Sequence, residues 1–417
     1  MMKNNSKIKN IISIIIIFAS VCLIIACISR FFVRKDDYCI WNSFYGLEKN
    51  SVDVVFLGSS MIGCALDPYQ LSEETGLTCV NMGVSGSTYS VREAFLNEIL
   101  KTQDIKLLIV ETWRYTQWPE MDIDNAMYSI GGMRFSKNKL DLILDIPLLS
   151  DKYDRFELLF PFFAFHGRWN ELSSNDKTPL NDFKAEYSWW NDGGHLWINP
   201  QPEIEENPGT RQELTDIQAK YLNDIITGAR DNDIEILFFN PQNPDIHHDD
   251  YERLNAINDY LREYGVPYIE GNNEADLVAW TDTRVDFCDT HHTSLSGTYK
   301  VTRYVADYIN KHYNIERTFT PEREEYVEYV LDLGNRLREE SRPEYYLMLA
   351  LNDVFNVYVC KNESNINEDN TGYMLLNFDN NMSEDMLKQY FEGNYDYCFR
   401  IVIEDKYTGE IVDVREF

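Results

Sequence analysis

The sequence predicts an α/β protein, in which a parallel sheet carries helices on both faces. A membrane-spanning helix precedes it and a small α+β domain follows. Three observations carry this reading. Short continuous apolar runs alternate with amphipathic stretches between Val52 and His312, the pattern of strands buried on both faces and joined by crossover helices. Residues Ile11 to Ile28 are apolar except for Ser13 and Ser20. Beyond about Thr318 the alternation gives way to one charged helical stretch and several short strand patterns.

The N-terminal run comes first. Eighteen helical residues span about 27 Å, close to the roughly 30 Å hydrocarbon core of a bilayer. Lys3, Lys7 and Lys9 precede it, Phe31, Phe32 and Val33 extend it, and Arg30, Arg34 and Lys35 mark its outer boundary. A buried core helix normally keeps a polar stripe, and this run has none. The favoured reading is a single-pass signal anchor over residues 1–35, with the remainder outside the cytoplasm. No A-x-A site follows the run for cleavage. Ile24-Ile25-Ala26-Cys27 loosely resembles a lipoprotein site that would leave Cys27 lipidated, so anchor and lipoprotein processing both stay open. Basic residues on both flanks weaken the charge argument for orientation.

Residues 36–317 form the predicted α/β domain. Its strands are Val52–Leu57, Thr78–Asn81, Lys106–Glu111, Glu235–Asn240 and Val266–Ile269. An aromatic-rich insertion, about residues 113–228, contains Phe160–Trp169 and Tyr187–Trp197. Most of those aromatics fit a core role, and a minority on a cleft wall would suit stacking on sugar rings. Residues 318–417 read as an accessory α+β domain. It has a helix over Pro321–Glu340, strands at Tyr345–Leu351, Asn356–Cys360 and Tyr373–Phe378, a loop at Asn362–Thr371, and a hairpin joining Phe399–Asp405 to Glu410–Val414 around Tyr407-Thr408-Gly409.

Composition removes several function classes. Of 417 residues 69 are acidic and 38 basic, a net charge of −31, which opposes nucleic-acid binding through phosphate neutralisation and attachment to anionic lipid by basic patches. At 44% apolar and 14% aromatic the chain can bury a large core. The eight cysteines include no C-x-x-C pair, so neither a zinc site nor a dithiol motif is expected, no cofactor is called for, and the disulfide state is open.

Two segments carry chemistry. Leu57-Gly58-Ser59-Ser60-Met61 puts Ser60 at a strand-to-helix turn, in the zone beyond the carboxyl ends of the strands where ligands bind in such folds. The same residues also suit a plain turn and helix cap. Asp289-Thr290-His291-His292 sits on a loop entering a helix, and a carboxylate three residues before an imidazole can accept from Nδ1, leaving Nε2 to take a serine proton. Serine needs such a base to act as a nucleophile. As polar loop residues the same side chains would need no chemistry.

Together these segments resemble the SGNH (GDSL-like) hydrolase superfamily over roughly Ser51 to Tyr313. The resemblance assigns Ser60 as nucleophile, Asp289 and His292 as the orienting acid and the base, and Gly83 of Asn81-Met82-Gly83-Val84-Ser85-Gly86 as an oxyanion donor beside the Ser60 N–H. It implies a flavodoxin-like three-layer α/β/α sandwich. The third block departs from the family: Gly-x-Asn-Asp is replaced by Glu111-Thr112-Trp113-Arg114-Tyr115, and a lost oxyanion donor costs about 10²–10³ in rate. Arg114 is a candidate replacement or substrate ligand, with a structural ion pair to Glu111 or another acid as the alternative. The anchor, the missing Asn and His166-Gly167-Arg168-Trp169 narrow the resemblance to membrane-anchored members related to teichoic-acid D-alanyl transfer proteins and exopolysaccharide O-acetyltransferases. His166 and Arg168 then become candidate cleft residues, with a buried structural role as the alternative. The implied activity is ester hydrolysis or O-acyl transfer at the bacterial cell membrane, with a cell-envelope polysaccharide or acyl donor, and a membrane acyl-transfer protein, as partners. The competing reading is a degenerate scaffold or glycan-binding envelope protein.

Overall fold

The computed structural model describes residues 2–35, 39–179, 199–318, 355–362, 385, 387–391 and 399–416. The expected Tyr187–Trp197 aromatic segment, the Pro321–Glu340 helix and the strands at Tyr345–Leu351 and Tyr373–Phe378 lie outside the described residues, as does the Asn362–Thr371 loop after Asn362.

In chain order the elements are α1 (Met2–Phe32), α2 (Cys39–Tyr45), β1 (Val54–Gly58), α3 (Ser60–Ala65), α4 (Pro68–Thr75), β2 (Cys79–Gly83), α5 (Arg92–Ile99) and β3 (Leu107–Glu111). Next come α6 (Ile123–Ile130), α7 (Lys137–Asp145), α8 (Asp151–Leu159), α9 (Phe162–Phe165), α10 (Asp216–Arg230), β4 (Glu235–Asn240), α11 (His248–Glu263), β5 (Tyr268–Glu270), α12 (Ala275–Trp280) and α13 (Leu295–His312). Strands β6 (Phe355–Lys361), β7 (Phe399–Asp405) and β8 (Ile411–Glu416) complete the series.

The first five strands form one parallel sheet in the order β2-β1-β3-β4-β5, the doubly wound 2-1-3-4-5 pattern whose switch point lies between β1 and β3. All five predicted strands are present. Their ends shift for identifiable reasons: the Asp53 carbonyl accepts from Lys106 N and Leu107 N, so regular pairing begins one residue later, and Val84 N donates to Gly58 O (2.9 Å), which carries β2 on to Gly83.

Two compact units make up the chain. One comprises Met1–Ser60, Met82–Tyr187 and Glu213–Ile236. Within it β1 and β3 pair in register from Val54↔Leu107 to Leu57↔Val110, and both are buried along their whole length. Helix α5 packs on β1 and on α10, whose start is fixed by a capping box between Thr215 and Gln218. Helix α10 therefore belongs to the layer covering the sheet, although its residues were expected within the insertion. Trp41 is fully buried, 4.9 Å from the Phe95 ring, with its indole N–H on Ser129 O. The described insertion is helical, with Asp122 and Ser136 capping α6 and α7. Helix α1 is long and apolar enough to cross a membrane over Lys9–Ser29.

The other unit comprises Met61–Asn81, Ser188–Gln212 and Leu237–Phe417. Here β4 and β5 pair in parallel, Phe238↔Tyr268 to Asn240↔Glu270. Asp67 caps α4, Pro68 opens it, and Gly76 ends it in the left-handed conformation (φ 71°). The apolar face of α13 is buried through Leu295, Val301, Val305 and Ile309. Strands β6, β7 and β8 form an antiparallel sheet in that order. The expected hairpin is present as β7–β8, with Gly409 at φ 69°.

Candidate active site

The carboxyl ends of β1 and β3 are organised by Glu111, whose side chain is fully buried. One carboxylate oxygen accepts from Ser59 N (2.5 Å) and the other from Arg114 N (2.8 Å). The countercharge is Arg92, itself buried, 3.5 Å from Glu111 Oε2 and bonded through Nη1 to Leu57 O (3.1 Å) and Glu111 O (2.6 Å). Arg92 also lies over the Tyr115 ring, which stacks on Tyr89 at 4.4 Å. The turn presenting Ser60 is thus held from below by a buried ion pair. Glu111 thereby anchors two backbone N–H groups, one in the turn after each strand.

Arg114 is engaged by the loop that precedes it. Its guanidinium donates to Ser87 O (3.2 Å), Gly86 O (3.3 Å) and Gln117 Oε1, so it braces the loop after β2. The ion pair considered for it with Glu111 is made by Arg92 instead. Gly86 sits at φ 70°, and a Cβ there would lie 1.9 Å from Asn125 Oδ1, so a side chain at this position would be strained. Gly83 ends β2, one residue before the Val84 N–H that ties β2 to the end of β1.

In the other unit Asp289 and His292 are paired. Asp289 Oδ2 lies 2.8 Å from His292 Nδ1, while Oδ1 accepts from the backbone N–H of His291 (2.7 Å) and of His292 (2.8 Å). Burial pushes the Asp289 carboxyl up, but the hydrogen bonds from His292 and the two backbone N–H groups outweigh it and hold the group well below the usual carboxylate range. An ionised carboxylate only accepts, so Nδ1 carries the hydrogen and the lone pair of the neutral ring falls on Nε2. The neighbouring Cys288 thiol is pushed up to about 12, by burial first and by the Asp289 charge second, and so stays neutral.

The loop carrying this pair is locked to α13. Asp286 accepts from Ser296 Oγ (2.6 Å), Lys300 Nζ (2.7 Å) and Asp282 N (2.7 Å). Ser294 caps the helix, and a Cβ on Gly297 would stand 2.0 Å from Asp286 O. The same loop grips α3: Thr293 Oγ1 and Thr298 Oγ1 both donate to Cys64 O, at 3.0 and 2.6 Å. Asn81 Nδ2 reaches the carbonyls of Gly63 (3.2 Å) and Leu66 (3.0 Å), so this second-block side chain caps the end of α3.

His166 and Arg168 are placed elsewhere. His166 is exposed with Nδ1 on Phe163 O, and Arg168 donates to Phe32 O (2.6 Å) and pairs with Asp176 (3.2 Å). Both belong to the packing around the C-terminal end of α1.

A polar cluster absent from the sequence reading lies beyond β4 and β5. Asn240 Nδ2 and Asn272 N donate to Glu270 Oε1 (2.9 and 3.2 Å), and Asn272 exchanges hydrogen bonds with Asn243. Asn240 Oδ1, Gln242 Oε1, Asn243 Nδ2 and Glu270 Oε2 are buried without hydrogen-bond partners among the described residues. Burial raises Glu270 to about 7, against the opposing bonds from Asn240 and Asn272. Because the folded value lies above the unfolded one, its contribution to stability is full below about pH 4.5 and lost as pH rises through 7. Glu270→Gln, which mimics the neutral acid, should flatten that slope and stabilise the protein at pH 8 by about 3 kcal/mol. Thermal midpoints of both proteins at pH 5 and pH 8 check this. Equal differences between variant and wild type at the two pH values would contradict it.

No family model matches the chain, and no curated protein is significantly similar to it. Architecture defines the class: a mixed α/β protein with a five-stranded parallel sheet and one N-terminal helix able to span a bilayer.

Proposed function

We propose that the protein is a membrane-anchored serine esterase or O-acyltransferase of SGNH type, with a flavodoxin-like three-layer core, acting outside the cytoplasm. The observation that carries this reading is the Asp289–His292 pair, with the acid ionised and both of its oxygens engaged. The Thr293 and Thr298 bonds to Cys64 support it, because they tie this loop to the helix that Ser60 opens.

In the proposed reaction Ser60 Oγ attacks an ester carbonyl while His292 Nε2 takes its proton. The oxyanion is met by the N–H groups of Ser60 and Gly83, and His292 returns the proton to the leaving alcohol. Water then releases the acyl group in an esterase, and a sugar or polyol hydroxyl accepts it in a transferase. An acetyl or D-alanyl ester of a cell-envelope glycan or teichoic-acid-like polymer is the substrate class. The −31 net charge favours a neutral acceptor over a polyanion.

The full chain in detergent should take one fluorophosphonate adduct by intact mass, absent from Ser60→Ala and His292→Ala. A folded wild-type protein that takes no adduct would favour the scaffold reading. An adduct that survives Ser60→Ala would move the nucleophile to another residue.

A further inference from the structure

The span of α1 ends at Ser29, and the insertion is bonded to the residues there. Phe162 N donates to Ser29 Oγ (3.1 Å), Arg168 Nη1 donates to Phe32 O (2.6 Å), and the Phe32 and Phe162 rings meet edge to face at 5.3 Å. If Lys9–Ser29 fills the hydrocarbon core, groups bonded to Ser29 and Phe32 stand at its boundary, because a hydrogen bond allows no more separation than that. Large side chains of this region face outward: Phe31 is 52% exposed, Phe156 47% and Trp169 72%. Basic groups lie beside them, with Arg34 over the Phe165 ring and Arg168 next to Trp169. Aromatic rings with an apolar body, flanked by cations, are the composition that partitions into the head-group layer. The acidic remainder of the chain is repelled by anionic lipid, so the aromatic rings are what would favour contact.

We infer that α8, α9 and the turn His166–Asn170 form a second membrane contact, with Trp169, Phe156 and Phe31 seated among the lipid head groups. This rests on the anchor reading of α1. The contact fixes the unit that carries Ser60 at a set height above the bilayer, so esters presented close to the membrane are its substrates.

The test uses the full chain reconstituted in phosphatidylcholine–phosphatidylglycerol vesicles, with and without lipids brominated near the head group. Bromine quenches tryptophan emission only on contact. Most of the quenched emission should disappear in Trp169→Phe and persist in Trp118→Phe, since Trp118 is 82% exposed but has no bond to α1 among the described residues. Equal quenching in wild type and Trp169→Phe, with the chain still resisting alkaline carbonate extraction, would overturn the contact while leaving the anchor intact. Release by carbonate would overturn both.

Discussion

Asp289→Asn is expected to lower ester turnover by about 10⁴ while leaving the fold in place. The asparagine oxygen can still accept from the backbone N–H groups of His291 and His292, which now bond Asp289 Oδ1 at 2.7 and 2.8 Å. Its amide nitrogen, however, would face His292 Nδ1 and donate to it. That places the ring hydrogen on Nε2, where it cannot accept from serine, and removes the negative charge that stabilises the imidazolium. Asp289→Ala loses the loop anchor as well, so a comparison of the two separates positioning from proton transfer. Hydrolysis of a chromogenic acetyl ester, with thermal midpoints as a folding control, checks the prediction. Unchanged turnover in Asp289→Asn would remove Asp289 from the mechanism.

The second large effect lies at Arg92. Arg92→Met leaves the Glu111 carboxylate buried without its cation, an arrangement that costs about 3–5 kcal/mol. Adding Glu111→Gln should recover part of that loss but not all. The carboxylate serves Ser59 N and Arg114 N with separate oxygens, whereas an amide has a single acceptor and would turn its donor toward the other N–H. One buried N–H is then unpaired, at about 1–3 kcal/mol. Urea denaturation of the wild type, Arg92→Met, Glu111→Gln and the double variant gives the four values. Additivity of the two single changes would show that Arg92 and Glu111 are not coupled. The double variant is also expected to turn over ester slowly, since Ser59 is the residue before the proposed nucleophile.

Much of the architecture was legible because it rests on short-range pattern. Five apolar runs marked five strands, and alternation with a glycine turn marked the β7–β8 hairpin. The Asp289–His292 pair was legible because three residues of loop suffice to bring a carboxylate to an imidazole. Glu111 was harder. As the last residue of Leu-Leu-Ile-Val-Glu it looks like the polar end of a strand, and its burial depends on Arg92, which comes 19 residues earlier on a helix of mixed character. An ionisable group closing an otherwise apolar strand is the signal that would have pointed to a buried partner. For Arg114 the sequence offered a ligand or a structural ion pair, and its bonds to backbone carbonyls of the preceding loop were not legible there. The Glu270 cluster left no trace, since asparagines and glutamines after a strand are ordinary loop composition.

The hydroxyl bonds on Cys64 bear on the order in which the molecule can be made. They join positions 229 and 234 residues apart. A chain that emerges N-terminus first exposes Ser60 and α3 long before Thr293 and Thr298 exist to hold them. Asn81 can cap the end of α3 early, but the two hydroxyl bonds to Cys64 must wait until Thr298 has been made, 234 residues later. Any esterase activity would therefore begin only once the segment through α13 has emerged and docked, and truncations before Thr298 should yield protein that carries the serine but cannot use it.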